Sequence, residues 1–136
     1  MKSLVLDTCA LIDLFHGRRE VLDALNKSER ILVPAVVLGE FLSGLGTDKK
    51  SEALRRVLDD FLHMPNVFPH VVSDATTVRY ADIRRQLKAA GTPLPINDLW
   101  IAACAQEADA PLLTFDQDFQ RIPGLLLTVG INNPTI

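Results

Sequence analysis

Acidic residues closely follow two of the aliphatic runs in this sequence. Asp7 comes directly after the run from Ser3 to Leu6, and Asp116 comes two residues after the run 112–114, with Asp118 two residues further on. Carboxylates that follow buried parallel strands can meet at one edge of a sheet, where they can bind a cation or take part in acid–base chemistry. Each also has a simpler interpretation, since Asp7 could only cap the next helix and the later pair could belong to a polar turn.

Two further acids lie on segments predicted to be largely apolar helices. Glu40 is the only charged residue between Arg30 and Asp48, and it shares its helix face with small residues. Asp98 shares its face with apolar residues three, four and seven positions later, so its carboxylate is expected to be partly buried and to need a partner or a cation. The alternatives are a solvated Glu40 and an Asp98 that only favours a helix start capped by Asn97.

These acids form an all-oxygen set, and that set indicates the chemistry. Carboxylates held close together repel one another unless a cation neutralises them, and oxygen ligands without Cys or a His pair suit Mg²⁺ or Mn²⁺. The three histidines, His16, His63 and His70, show no ligand spacing. A carboxylate site with one or two Mg²⁺ ions suits phosphoryl chemistry, because the ions lower the pKa of an attacking water and stabilise the leaving oxygen. Serine-nucleophile and phosphate-loop motifs are absent from the sequence.

The segments that must position the acids alternate between two types. Short aliphatic runs, typical of buried parallel strands, alternate with segments whose apolar residues recur every three or four positions, as in helices. The predicted strands cover 3–6, 31–33, 67–68 or 71–72, 112–114 and 125–129, and the main predicted helices cover 35–43, 49–63, 75–90 and 97–108. This order predicts an α/β sandwich with a mostly parallel sheet, whose ligands bind beyond the carboxyl ends of the strands.

Length and composition narrow the class of protein. The 136 residues suit a single domain over 1–136, and the longest apolar stretch, Ile31 to Gly39, is too short to span a membrane. With 14 basic and 17 acidic residues, the chain lacks the basic excess of proteins that coat nucleic acid nonspecifically. Cys9 and Cys104 lie in apolar helical contexts, where both are expected to be buried thiols. We therefore expect a cytoplasmic protein without disulfides.

Four stretches carry the acids in a recognisable order. They are Leu6-Asp7-Thr8, then Glu40 on the helix after the second strand, then Asn97-Asp98-Leu99-Trp100-Ile101-Ala102-Ala103, then Leu113-Thr114-Phe115-Asp116 through Asp118-Phe119. Together they resemble the PIN-domain family, and more narrowly its VapC-type toxin ribonucleases of type II toxin-antitoxin systems. The resemblance extends over essentially the whole chain. It implies a small three-layer αβα domain that is a Mg²⁺- or Mn²⁺-dependent endoribonuclease.

The resemblance also implies individual roles and partners. The implied catalytic and metal-binding acids are Asp7, Glu40, Asp98 and Asp116, with Asp118 sharing or replacing the role of Asp116. Thr8 and Thr114 match hydroxyl positions that support the acids. Proteins of this type usually form homodimers and are inhibited by a VapB-like antitoxin that wraps over the nuclease.

Three basic residues could contact RNA. Arg84, Arg85 and Lys88 form a stripe on one predicted helix, but they also lie in its last turns, where cations favour the helix dipole. Two other functions stay open: a non-toxin PIN nuclease in RNA processing, and a non-catalytic PIN-fold module that binds RNA or protein. The intact set of acids argues against the second, because buried carboxylates cost stability.

Overall fold

A parallel sheet forms the centre of the fold in residues 2–128, the part of the chain that the structure, a computed structural model, describes. Its four strands lie in the order β3-β2-β1-β4 and comprise β1 (Ser3–Leu6), β2 (Arg30–Pro34), β3 (Val67–His70) and β4 (Leu112–Leu113). Val5 in β1 pairs with Leu32 on one side and Leu112 on the other. Because all pairings are parallel, the carboxyl ends of the strands lie at one edge of the sheet, which we call the carboxyl edge.

Helices flank this sheet throughout the described residues. They are α1 (Thr8–Phe15), α2 (Arg19–Asn26), α3 (Ala35–Ser43), α4 (Lys49–Leu62), α5 (Asp74–Ala90) and α6 (Ile96–Glu107), with a short 3-10 helix at Gln117–Arg121. Helices α5 and α6 pack closely together, and α1 contacts both α2 and α3. The predicted three-layer α/β architecture is therefore confirmed. Among these helices, none is long and apolar enough to cross a membrane.

The core consists of the aliphatic runs that indicated the strands. Leu6, Val33, Leu112 and Leu113 have no exposed surface, and α6 is buried over most of its length. Burial of one such side chain contributes about 1.5–3 kcal/mol. A core of this kind can hold charged groups in unfavourable positions at its edge.

The predicted fifth strand over 125–129 does not form as a strand in the described residues. Leu127 makes a single parallel bridge to Leu112, and both backbone polar groups of Leu112 bond to this segment. The partner, β4, is only two residues long, so it offers very few pairing positions. Val129 lies outside the described residues.

Two further expectations are resolved by the structure. The third strand is Val67–His70, and Val71 and Val72 are exposed beyond it. Cys104 is buried as predicted, but the prediction for Cys9 is wrong because this residue is exposed. Cys9 lies on the outer face of α1, while the neighbouring Ala10 and Leu11 face the core.

Candidate active site

Asp7 is a buried acid at the carboxyl edge, with only 4% of its surface exposed. It is the N-cap of α1, and its Oδ1 accepts a hydrogen bond from the Ala10 N–H at 2.7 Å. Burial raises the pKa of Asp7 to about 6; hydrogen bonds from Thr114 and Ala10 oppose this shift, and the charges of Asp98 and Asp116 add to it. Asp7 therefore caps a helix and also lies near other acids.

Glu40 lies on α3 and is held at both of its carboxylate oxygens. The Thr8 hydroxyl donates a hydrogen bond to Oε1, and the side-chain amide of Asn97 donates one to Oε2 at 3.0 Å. These contacts join the first turns of α1 and α6 to α3. The Thr8 hydroxyl, to which the resemblance assigns a supporting role, thus contacts one of the acids.

The sequence suggested Asn97 as the cap of α6, but the structure places it elsewhere. Helix α6 begins at Ile96 with Pro95 in the N-cap position, so Asn97 lies inside the first turn and its side chain reaches Glu40 on α3. Asn is common at helix starts, and the residue type alone does not distinguish a cap from a side chain that contacts another helix. Asn97 is therefore a site residue that sequence reasoning missed.

Asp98 is partly buried in the first turn of α6, among other acids. Burial raises its pKa to about 6, and repulsion from Asp116, Glu40 and Asp118 adds to the shift. The helix N-terminus favours a negative charge at this position, yet the pKa still lies well above its ordinary value of 3.8. Asp98 therefore carries a charge that the fold alone does not compensate.

Asp116 and Asp118 have different surroundings. The Asp116 N–H bonds to the Thr114 hydroxyl at 3.0 Å, and Asp116 Oδ1 accepts the Asp118 N–H at 2.9 Å at the start of the 3-10 helix. Asp118 forms a salt bridge with Arg121 at 3.2 Å, and half of its side chain is exposed. Of the two acids, Asp116 is the one whose charge raises the pKa of the buried Asp7. This placement favours Asp116 as the fourth acid.

The acids approach one another without forming a finished ligand cluster. Within residues 2–128, no three His, Cys, Asp or Glu side chains converge closely enough to hold a metal ion as they stand. The donor chemistry nevertheless fits Mg²⁺ or Mn²⁺, since every candidate donor is a carboxylate oxygen. Burial, with a smaller contribution from the neighbouring acids, raises the pKa of Asp7 and Asp98, and a bound cation would favour their ionised forms. The residues present are therefore compatible with such an ion.

The basic stripe predicted to contact RNA has other partners. Arg84 donates a hydrogen bond to the Tyr80 hydroxyl at 3.0 Å, and Arg85 forms a 2.7 Å salt bridge with Asp82. Arg84 and Lys88 line an apolar groove of about 380 Å³ between the end of α5 and the start of α6. In the described residues, the stripe makes no hydrogen bond or salt bridge to the acids of the site.

Comparisons with known proteins agree with this fold and site. The PIN domain family matches residues 4–125, a range that includes all five acids. Ribonuclease VapC2 of Rickettsia felis is 34% identical over 107 residues, which cover 78% of each chain. Ribonuclease VapC5 of Mycobacterium tuberculosis is 32% identical over 124 residues, which cover 88% of this chain and 87% of that protein.

Solved structures show the same relationship in three dimensions. A chain of VapBC2 from Rickettsia felis, bound to a DNA fragment from its promoter, matches with a TM-score of 0.81 at 28% identity over 93% of this chain and 97% of that chain. A chain of VapBC-5 from Mycobacterium tuberculosis matches with a TM-score of 0.72 at 26% identity over 94% of this chain and 100% of that chain. By family match, sequence identity and fold, this chain belongs to the PIN domain family, in its ribonuclease VapC group.

Proposed function

We propose that this protein is a Mg²⁺- or Mn²⁺-dependent endoribonuclease, which hydrolyses RNA phosphodiester bonds as the toxin of a toxin-antitoxin pair. The carrying observation is that four acids from separate segments lie near enough for their charges to act on one another: Asp98 and Asp116 act on Asp7, and Glu40 and Asp116 act on Asp98. The relatives named Ribonuclease VapC support the reaction class. In this proposal, residues 1–136 are one nuclease domain that acts in the cytoplasm.

The four carboxylates would hold the metal, and their charges would couple metal binding to substrate binding. A bound Mg²⁺ or Mn²⁺ supplies an activated water and neutralises charge on the phosphate. Without a cation, the same carboxylates repel an RNA phosphate. Since the pKa values of Asp7 and Asp98 lie at about 6, protons compete with the cation for these two groups at mildly acidic pH.

Cleavage by the purified protein tests the proposal directly. Protein free of any partner should cut an end-labelled RNA with an exposed single-stranded loop when Mg²⁺ or Mn²⁺ is present, and EDTA should stop the reaction. Full cleavage in EDTA would contradict a metal-dependent mechanism. RNA binding without cleavage at any metal concentration would instead favour a non-catalytic PIN-fold module.

The two donors to Glu40 should matter for activity. Thr8→Val and Asn97→Leu should each lower the cleavage rate by about tenfold, because loss of a partner that orients a metal-binding side chain typically has an effect of this size. The rate is measured at saturating Mg²⁺ on variants with an unchanged far-UV circular dichroism spectrum. Thr77→Val is the matched control, since the exposed Thr77 hydroxyl bonds only to a backbone carbonyl on α5. If Thr8→Val and Asn97→Leu cleaved RNA as fast as Thr77→Val and the wild type, Glu40 would need neither donor.

A VapB-like antitoxin is the proposed partner, since the solved relatives are VapBC complexes. Its candidate surface is an apolar groove of about 570 Å³ formed mainly by α1, α2 and α4. Leu22, Val57 and Met64 line this groove and are 39%, 43% and 48% exposed. A continuous exposed apolar groove suits the apolar face of an amphipathic helix. A homodimer is proposed as well, and light scattering would measure its mass.

Growth experiments test the toxin and its partner together. Expression of this protein alone should slow growth, and coexpression of a small protein encoded beside it should relieve the effect. Val57→Asp should weaken that relief because it places a charge in the groove, whereas Val78→Asp, at a more exposed valine on α5 that does not line the groove, should not. Harmless expression of a protein that cuts RNA in vitro would favour a non-toxin PIN nuclease in RNA processing.

A further inference from the structure

Arg18, the residue before α2, contacts the segment that carries Asp116 through an aromatic ring. Its guanidinium carbon lies 3.5 Å from the centroid of the Phe115 ring, so the guanidinium stacks on the face of that ring. Phe115 lies between Thr114 and Asp116 in the chain and packs against the core. Arg18 therefore touches the immediate neighbour of a proposed metal-binding acid.

The other contacts of Arg18 connect it to α1. Its Nη1 forms a 2.8 Å salt bridge with Asp13 on α1, and its backbone N–H bonds to the Asp13 carbonyl at 3.0 Å. Gly17, with φ of +77°, makes the turn that returns the chain toward α1, a conformation that favours glycine. Because Asp7 caps the same helix, Arg18 links the helix that Asp7 caps to the segment that carries Asp116.

The segment that carries Asp116 lies beyond the end of the sheet ladder. In the described part of the chain, the hydrogen bonds of Asp116 are local: its N–H bonds to the Thr114 hydroxyl at 3.0 Å, its Oδ1 accepts the Asp118 N–H at 2.9 Å, and its carbonyl accepts the Phe119 N–H at 3.4 Å. Strand β4 ends before the segment begins, so the sheet ladder does not hold Asp116 itself. The stack of Arg18 on Phe115 adds an attachment from outside the segment.

A direct contact between Arg18 and RNA fits these observations less well. One face of the guanidinium is covered by Phe115, its Nη1 is paired with Asp13, and its Nε lies 3.5 Å from Glu20. One positive and two negative charges give this trio a net charge of −1. A phosphate that approached Arg18 would therefore meet two carboxylates.

We propose that Arg18 is a positioning residue, which holds the Phe115–Asp116 segment against α1 and so keeps the Asp116 carboxylate in place for metal binding. The inference rests on the proposed function, because it assumes that the acids bind Mg²⁺ or Mn²⁺. Lysine would keep the charge and the pairing with Asp13 but lacks the planar group that stacks on a ring. Loss of the stack should weaken metal binding although every metal-binding acid is still present.

Calorimetric titration of the intact protein with Mn²⁺, without RNA, tests this role. Arg18→Lys and Phe115→Leu should each raise the Mn²⁺ dissociation constant by about tenfold, and the double variant should be no weaker than either single variant because both changes break one contact. Phe115→Tyr keeps the ring and should restore affinity close to that of the wild type. Arg30→Lys is the matched control, since Arg30 also lies over a ring, that of Phe68, at 5.2 Å, and it should leave Mn²⁺ affinity unchanged.

The outcomes separate this inference from the proposed function. Unchanged Mn²⁺ affinity in folded Arg18→Lys would overturn the positioning role. If this variant also had a higher KM for RNA at saturating Mn²⁺, Arg18 would instead be an RNA contact. Melting curves identify any variant that fails to fold, and Arg18→Lys tests the inference even if Phe115→Leu does not fold. Weakened Mn²⁺ binding in the variants, with no RNA cleavage by the wild type, would support the role of Arg18 and contradict the ribonuclease.

Discussion

Asp98→Asn should abolish RNA cleavage, with a loss well above the roughly 10- to 100-fold that follows removal of a residue supporting a metal ligand. Asn keeps the size of the side chain but cannot supply the negative charge that a cation needs. In the absence of metal, the variant should be as stable as the wild type or more stable by up to about 1 kcal/mol, because it no longer buries a charge and repulsion from Asp116, Glu40 and Asp118 is removed. The gain is small because solvent screens the charges around a partly buried carboxylate.

The stabilisation by Mg²⁺ should differ clearly between the wild type and Asp98→Asn. A ligand at about 100 times its dissociation constant stabilises a protein by about 2.7 kcal/mol, which is several degrees of Tm for a domain of this size. Asp98→Asn should show a much smaller Mg²⁺-induced shift. Asp74→Asn is the matched control, because Asp74 also lies in the first turn of a helix and should keep both cleavage and the full shift. Identical behaviour of the two variants would remove Asp98 from the site.

The local sequence predicts those parts of the site that depend on neighbours in the chain. The aliphatic run 3–6 predicts a buried strand, so Asp7 must lie at its carboxyl end, as it does. The isolation of Glu40 among small residues predicted that its helix face borders a cleft, and its two hydrogen bonds cross to α1 and α6. Periodicity and strand order therefore predict the place of Asp7 at the end of β1 and the helix face of Glu40.

Contacts between distant segments could not be predicted in this way. Asn97 reaches Glu40 on another helix, and Arg18 stacks on Phe115 near the other end of the chain. Neither contact has a local pattern, because a polar residue at a helix start and an arginine in a turn have common local roles. Residues 125–128 show the same limit, since their apolar run resembles a strand but only Leu127 forms a bridge to the two-residue strand β4.

The ionisation of Asp7 should make the metal-free protein less stable as the pH rises. Burial raises the pKa of Asp7 from 3.8 to about 6 in the folded state. A carboxyl group with a higher pKa in the folded state binds its proton more tightly there, so the stability it contributes is present below about pH 4 and is lost as the pH rises through about 6. Since one pKa unit corresponds to about 1.4 kcal/mol, ionised Asp7 should cost up to about 3 kcal/mol at pH 7.

Asp7→Asn isolates this contribution, because Asn caps a helix as well as Asp does. In EDTA, the free energy of unfolding of the variant should be close to that of the wild type at about pH 4, and higher by up to about 3 kcal/mol at pH 7. Urea denaturation at several pH values measures the difference. Added Mg²⁺ should reduce or reverse it at pH 7, because a cation favours the ionised carboxylate of the wild type.

Asp48→Asn is the control with the opposite sign. Asp48 caps α4 and accepts a hydrogen bond from the Ser51 N–H at 3.0 Å, but it is exposed, and its hydrogen bonds from Ser51 lower its pKa. A lowered pKa in the folded state means that the ionised group stabilises the fold, so Asp48→Asn should lose stability relative to the wild type as the pH rises toward about 4, and this loss should stay constant at higher pH. If the stability difference for Asp7→Asn in EDTA did not change with pH, the fold would not disfavour the ionised Asp7. The cost of burying a charge at Asp7 would then no longer be a reason to expect a cation beside it.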